Sequence, residues 1–351
     1  MKSEMSYKFK GSGHEVPEEK RKYQKPSTYK EPSSELKKTF EKWLESCQHS
    51  TSGFDAGYDQ AKQVLNGIDA QVAEAHGLLI AYQKIKNIEK AGFFVSAIYN
   101  KAPDKEIVFD LSLEKSIQGL GYELAEGKTL VNTSKRVASL GEKSSGHIIN
   151  LGSVEDLAKD AVKGLYINEG EATYFATLDV KDGIYVNKGE AECFASGSDD
   201  ASEGYGPLNG TFLNFGVCGD AGMGFTFQGG VLVNLKEAKK FADLALGGFR
   251  LSYSSIEELS LGWHPIMPDK GITIDVESDE IWYCPGFGNA PVGAEKAIRL
   301  SRELEQLCEE FKQYLLTVGF TAADFNPQKF ETKTKSMVQK MEDLAIGRKR
   351  K

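Results

Sequence analysis

The chain lacks long hydrophobic runs, regular cysteine spacings and a secretory leader, and each absence narrows its possible functions. No stretch of about 18 apolar residues is present, so no membrane-spanning helix is predicted. The first residues, MKSEMSYKFKGSG, are polar and do not resemble a signal peptide. The five cysteines are odd in number and have no C-x-x-C spacing, which argues against a zinc site and for a reducing compartment. We therefore expect a cytoplasmic protein without membrane contact.

Motifs for catalysis are also missing. The sequence has no GxSxG, P-loop, H-E-x-x-H or strand-led GxGxxG motif. No two of its five histidines have the spacing of metal ligands on one element. We expect His76 to be a surface residue of a helix and His147 to lie in a strand. The sequence thus predicts no metal, no cofactor and no catalytic residue, and it favours a non-catalytic protein without excluding an enzyme.

A repeat is the strongest positive feature of the chain. Six asparagines, each after two apolar residues, are separated by 18, 18, 19, 27 and 20 residues. A period of this length is typical of a solenoid, in which one short strand and turn stack on copies of themselves. We predict that the asparagines form a structural ladder that passes side-chain hydrogen bonds from coil to coil. They are Asn132, Asn150, Asn168, Asn187, Asn214 and Asn234.

Other positions of the repeat recur as well. Glycine stands two residues after four of the asparagines, and we expect it to allow a turn with positive φ. Small or apolar residues recur four, seven and eight positions after the same four asparagines. The pattern predicts a single-stranded parallel β-helix with 18–20 residues per coil, and the rule for parallel crossovers favours a right-handed winding. A left-handed acyltransferase solenoid is disfavoured, because counting in sixes from Ile149 reaches Glu155, Thr173 and Asp179.

The segments GLYINEGEA and GIYVNKGEA resemble a known family of repeats. They are similar to the glycine-rich β-helix repeats of the glutamate synthase large subunit and of a formylmethanofuran dehydrogenase subunit. The resemblance covers about residues 128–235, although the paired glycines of those families are mostly missing here. It implies a structural scaffold without catalytic residues of its own.

Helices are predicted on both sides of the repeat. Apolar residues alternate at spacings of 4 and 3 from Phe54 to Tyr82 and again from Ala297 to Val318, which is typical of a coiled-coil seam. We expect the N- and C-terminal helices to form one coiled-coil-like bundle, with a dimeric coiled coil as the alternative. The predicted organisation is a disordered basic tail (1–33), a helical segment (34–91), the β-helix (92–288), a C-terminal helix (289–320) and a basic tail (321–351).

Charge is distributed unevenly along the chain. Residues 1–40 carry a net charge of +4 and residues 328–351 a net charge of +5, whereas the whole chain is −8. The last four residues, Arg348, Lys349, Arg350 and Lys351, are candidate contacts to RNA or to an acidic partner. A solvated terminus that aids solubility is the alternative interpretation.

Two stretches depart from the repeat, and such departures often bind ligands in solenoids. One is the insertion SGSDDASEGYGPLNG, and the other runs from Trp263 to Gly288. The candidate binding-loop residues are Asp199, Asp200, Glu203, Trp263, His264 and Asp275. From these observations we expect a scaffold or assembly protein that contacts a protein partner or a second copy through its helices, acidic loop and tails. A carbohydrate-active β-helix enzyme and an RNA- or ribosome-associated factor are the two alternatives.

Overall fold

The computed structural model describes eleven ranges of the chain, and every structural statement below concerns these ranges. They are residues 29–49, 54–178, 180–195, 209–221, 230–236, 238–241, 248–254, 256–259, 271–283, 298–320 and 325–349. No helix within them is both long and apolar enough to cross a membrane.

The repeat forms a parallel β-solenoid of about seven turns, so the predicted solenoid architecture is confirmed. Each turn contributes one strand to each of two sheets. Sheet A contains nine parallel strands and two final antiparallel ones: β1 (Glu106–Phe109), β2 (Thr129–Asn132), β4 (His147–Asn150), β6 (Leu165–Asn168), β8 (Ile184–Asn187), β10 (Thr211–Asn214), β12 (Val231–Asn234), β14 (Phe249–Ser252), β16 (Ile272–Asp275), β17 (Glu280–Tyr283) and β18 (Ile298–Arg299).

Sheet B contains seven parallel strands. They are β3 (Val137–Leu140), β5 (Ser153–Leu157), β7 (Glu171–Phe175), β9 (Glu190–Phe194), β11 (Val217–Ala221), β13 (Ala238–Phe241) and β15 (Ile256–Leu259). The register never slips along either parallel stack, so residues at the same position of the repeat share a column.

The space between the two sheets is filled by side chains. Tyr166, Tyr185 and Phe212 stack as nearly parallel rings, with centroids 4.9 Å apart at each step. Phe175 and Phe194 of sheet B form a second aromatic column, with centroids 5.0 Å apart. This spacing matches the distance of about 4.8 Å between neighbouring strands. Aromatic stacking thus adds to the apolar burial that holds consecutive coils together.

The glycines that follow the ladder asparagines have a different role from the predicted one. None of Gly152, Gly170, Gly189 and Gly216 has a positive φ. Instead, a Cβ atom added to Gly170 would lie 2.0 Å from the carbonyl oxygen of Gly152 in the preceding coil. Glycine is required at these four positions because the backbones of successive coils approach too closely there for any side chain.

Positive φ angles occur at another corner of the coil. Ala158, Ala176 and Ala195, which stand eight residues after their asparagines, have φ values of 57°, 55° and 53°. Each is fully buried where sheet B ends and the chain turns back towards sheet A. A small residue limits the steric penalty of this left-handed conformation and fits the confined space.

In the described part of the chain before the solenoid lie four α-helices: α1 (Ser34–His49), α2 (Phe54–Val64), α3 (Val72–Tyr82) and α4 (Ala91–Lys101). The prediction of one continuous helix from Phe54 to Tyr82 was wrong. Gly67 adopts a φ of 85° between α2 and α3, and Gln71 with Glu74 forms a capping box that starts α3. A period of 3.5 residues persists across the break because both helices face the same core.

Helix α4 joins the N-terminal helices to the first turn of the solenoid. The hydroxyl of Ser96 donates to the carbonyl oxygen of Gly119 at 2.8 Å and accepts from the backbone N–H of Gly121 at 2.7 Å. The buried residues of this region and of the solenoid interior form one continuous hydrophobic cluster. The helices thereby cover the first coil, whose end would otherwise be an open sheet edge.

Two C-terminal helices, α5 (Arg302–Thr317) and α6 (Pro327–Lys349), form an antiparallel hairpin. The expected helix start at residue 289 lies outside the described ranges. Residues 298–299 form β18, and the hydroxyl oxygen of Ser301 accepts from the backbone N–H of Leu304. The described helix α5 therefore begins at Arg302. Residues 327–349, which we assigned to a basic tail, form α6. Its buried residues Phe330, Val338 and Met341 make it part of the fold.

The hairpin belongs to a second hydrophobic cluster with the outward residues of sheet A. Phe215 contacts Phe320 with ring centroids 5.7 Å apart, and the hydroxyl of Tyr253 donates to the carbonyl oxygen of Cys308. The N-terminal helices belong to the other cluster. The two sets of helices therefore do not share one core, in contrast to the predicted single bundle.

Candidate functional site

The six repeat asparagines lie in one column at the end of the sheet A strands, and all six side chains are fully buried. Each side-chain amide donates to the carbonyl oxygen of the next asparagine. These five Nδ2–Oδ1 distances are 2.8–2.9 Å. At the last step Asn234 donates to the hydroxyl of Ser252 at 3.3 Å.

Backbone groups use the remaining capacity of these amides. Nδ2 of Asn168 also donates to the carbonyl oxygen of Glu190 in the next coil, at 3.0 Å. Oδ1 of Asn150 accepts from the N–H of Gly152 at 3.3 Å, and Oδ1 of Asn132 accepts from the N–H of Ser134 at 3.1 Å. A buried primary amide is stable only when such partners are present. The column is therefore structural and offers no free group to a ligand.

The outward face of sheet B is the main polar surface of the solenoid. Its strands β5, β7, β9 and β11 contain six acidic residues and no lysine or arginine: Glu155, Asp156, Glu171, Glu190, Glu192 and Asp220. Two apolar side chains are exposed among them, Tyr174 at 42 % and Val217 at 38 %. Burial is the main cause that raises the pKa of Asp156, and the nearby Glu155 and Asp160 add to it.

This face was not predicted as a candidate site, although the repeat contains a signal for it. Glu171 and Glu190 stand three residues after their asparagines, and Glu155 and Glu192 stand five residues after theirs. Two offsets therefore carry two glutamates each, and this recurrence could have been read from the aligned repeats. The sequence could not show which sheet would be left open, because that depends on where distant helices pack.

Open grooves lie at three further places between described residues. The first, of about 800 Å³, lies where the loop before β2 meets the return loops of the early coils and includes Glu126 and Lys163. The second, of about 710 Å³, lies between α6 and the starts of β10, β12 and β14. The third, of about 510 Å³, separates α5 from α6. All three mix acidic and basic side chains, and in the first Lys163 already pairs with Glu126.

Of the candidate binding-loop residues, only Asp275 is described. Its side chain is 8 % exposed, and Oδ1 accepts from the backbone N–H groups of Glu277 at 3.1 Å and Ser278 at 3.4 Å. It thus stabilises the turn between β16 and β17. The other five, Asp199, Asp200, Glu203, Trp263 and His264, lie outside the described residues. The binding loops therefore stay a prediction.

The two described histidines of interest both serve the fold. The expectation that His76 lies at the surface was wrong, since it is 2 % exposed and bonds the Tyr99 hydroxyl at 2.7 Å. The apolar periodicity placed His76 beside the predicted coiled-coil seam, but helix α3 is buried on several sides. Nδ1 of His147 accepts from the backbone N–H of Leu165 at 3.0 Å. Burial is the main cause that lowers the pKa of His147.

Metal-binding and thiol chemistry find little support in the described ranges. No group of three or more His, Cys, Asp or Glu residues is placed to hold a metal ion there. Cys47, Cys193, Cys218 and Cys308 are free thiols, and burial is the main cause that raises the pKa of Cys218 to about 12. A buried thiol with a raised pKa is a poor nucleophile.

The basic cluster at the end of the chain is only partly described. Arg348 and Lys349 continue helix α6, whereas Arg350 and Lys351 lie outside the described residues. The chain matches no family model, no curated protein and no solved structure. The resemblance to the glutamate synthase and formylmethanofuran dehydrogenase repeats therefore stays a prediction, and function must be argued from geometry.

Proposed function

We propose that this protein is a non-catalytic scaffold that presents the outward face of sheet B to a basic protein partner. The observation that carries the proposal is the in-register pairing of Glu171 with Glu190 on adjacent parallel strands. Both side chains are exposed. Like charges directly opposite each other on neighbouring strands destabilise a sheet. A partner that supplies positive charge offsets this repulsion.

The rest of the face has the composition of a protein-binding surface. The exposed Tyr174 pairs in register with Asp156, and the exposed Val217 pairs with Glu190. Each apolar side chain thus lies beside a carboxylate, a mixture of apolar and polar groups that is common in interfaces. Parallel strands hold Glu171 and Glu190 about 4.8 Å apart along the axis. The fully bonded asparagine column fixes the coils, so the face is preorganised and little ordering entropy is lost on binding.

The finer parts of the proposal extend the sequence predictions. Right-handed winding follows from the crossover rule for parallel strands. A cytoplasmic location is consistent with the absence of disulfides among the four described cysteines. The acidic insertion around Asp199 and Asp200 would enlarge the acidic surface. Turnover abolished by Asp275→Asn would reject the non-catalytic assignment.

The test is a comparison of three full-length proteins used as bait in the native cell. The face variant carries Glu155→Lys, Glu171→Lys, Glu190→Lys and Glu192→Lys, which preserves like-charge spacing while reversing its sign. The matched control reverses four exposed acids of the N-terminal region, Glu35, Glu45, Asp69 and Asp104. We expect a basic partner to bind the wild type and the control but not the face variant.

Purified components then give a quantitative result. The partner should bind the wild type and the control with equal affinity, and should lose at least about tenfold with the face variant, which corresponds to about 1.4 kcal/mol. Added salt should weaken wild-type binding because the contact is electrostatic. Equal binding by all three proteins would refute the proposal.

A further inference from the structure

The outer side of the α5–α6 hairpin carries opposite charges on its two helices. Helix α5 has four glutamates against two basic residues, whereas α6 has six basic residues against three acidic ones. Between the helices lies the groove of about 510 Å³, which includes Leu307 and Leu344. Glu303 and Glu310 lie on its α5 rim, and Lys340 lies on its α6 rim together with one acid, Asp343.

These rim charges do not neutralise each other. Among the described residues of the hairpin, no ion pair within 4.0 Å joins α5 to α6, and the one pair found there connects Lys335 with Glu331 inside α6. Glu303, Glu310 and Lys340 are all exposed. Lys333 lies over the ring of Tyr314, with Nζ 3.9 Å from its centroid, which places a further positive charge towards α5.

We propose that a second copy of this chain binds to the outer side of the hairpin. The pattern is self-complementary, because every copy has both an acidic helix and a basic helix. If the twofold axis runs parallel to the helices, α5 of one copy faces α6 of the other. If the axis runs across them, α5 faces α5 and acidic residues meet acidic residues. The charges therefore select the first arrangement, an isologous dimer with a four-helix contact.

The register within the hairpin supports this pairing. Cys308 contacts Met341, and Tyr314 contacts Lys333, so these residues lie at the same level along the hairpin. Glu310 lies between Cys308 and Tyr314 in α5 and is therefore level with the stretch between Lys333 and Met341. Rotation about an axis parallel to the helices keeps these levels, so Glu310 of each copy faces the lysines of the other.

The size of the surface predicts a weak dimer. Sixteen residues of α5 make a face about 24 Å long, and two helices are about 20 Å wide, so each copy contributes about 500 Å². The total of about 1,000 Å² is at the lower limit for a specific interface. We therefore expect association in the micromolar range that weakens as salt is added.

The test is a charge exchange measured by sedimentation equilibrium on the full-length protein. Variant one carries Glu303→Lys and Glu310→Lys, and variant two carries Lys333→Glu and Lys340→Glu. Each alone should dimerise at least about tenfold more weakly than the wild type. Mixed in equal amounts they should associate, because the basic α5 of one then faces the acidic α6 of the other. The control matched to variant one, Glu305→Lys with Glu309→Lys, makes the same change of charge on α5 away from the groove and should behave as wild type.

Three outcomes would overturn the proposal: a wild type that stays monomeric at high concentration, variants that dimerise as the wild type does, or a mixture that fails to associate. Far-UV circular dichroism checks that each variant is folded. Binding of a single-stranded oligo-uridine RNA that is lost only with Lys333→Glu and Lys340→Glu, in a monomeric protein, would assign the basic side of α6 to nucleic acid instead. This test does not depend on the sheet B face.

Discussion

Removing an asparagine from the middle of the column should destabilise the fold more than removing the first one. Asn168→Ala deletes a bond to the amide on each side and a third to the carbonyl oxygen of Glu190. Asn132→Ala deletes only one bond between asparagines, because the preceding residue of its column is Phe109. Both side chains are 0 % exposed, so the two substitutions are matched in burial.

The magnitudes follow from the bonds that are lost. Each hydrogen bond contributes about 1 kcal/mol, and a buried amide group left without its partner costs about 1–3 kcal/mol more. Asn168→Ala should therefore lose about 3–5 kcal/mol of unfolding free energy. Asn132→Ala also deletes three hydrogen bonds, but two of them are local bonds to the backbone of Ser134. Its loss should be smaller by about 1 kcal/mol, the contribution of the second bond between buried amides that only Asn168 makes.

Equilibrium unfolding in urea measures both unfolding free energies. If the slope of the unfolding free energy against urea concentration is the same for all variants, the difference lies in the stability of the folded protein. Equal losses, or a larger loss at Asn132, would refute the view that the amides stabilise one another along the column.

Two further predictions concern the corners of the coil and pH. Gly170→Ala should prevent correct stacking, because the added Cβ would lie 2.0 Å from a carbonyl oxygen. A Cβ added at Gly319 would have no atom within 4 Å, so Gly319→Ala should be tolerated. Soluble yield and circular dichroism distinguish the two variants. The folded-state pKa of His147 lies below its ordinary value of 6.5, so the unfolded chain binds more protons and stability should fall as the pH drops below that value. His147→Gln should reduce this loss in urea titrations between about pH 7 and about pH 5, and an unchanged loss would contradict the assignment.

The architecture could be predicted from the asparagine spacing because stacked coils must repeat the same residue in each column. The role of Gly170 could not, since the sequence N-x-G fits both a positive φ and a close approach of two backbones. The distinction depends on the distance to Gly152 in the preceding coil, which is a tertiary property.

Helix α6 was missed for a different reason. Its buried residues Phe330, Thr334, Val338 and Met341 recur at helical spacing, but lysines stand between them and the net charge of the segment suggested a tail. The helix is amphipathic, so the charges lie on one side and the apolar residues on the other. The polar surfaces depend on which sheet the hairpin covers, and no local pattern in the sequence contains that information.

All the ladder amides point the same way. Each N–H is directed towards the C-terminal coils, and the backbone donors of Ser134 and Gly152 hold the carbonyl oxygens in the opposite direction. A single flipped side chain would bring two oxygens or two hydrogens together, so each amide sets the orientation of the next. Aligned bonds of this kind polarise one another. The column is therefore a directional chain of dipoles whose positive end lies towards Ser252 and Asp275.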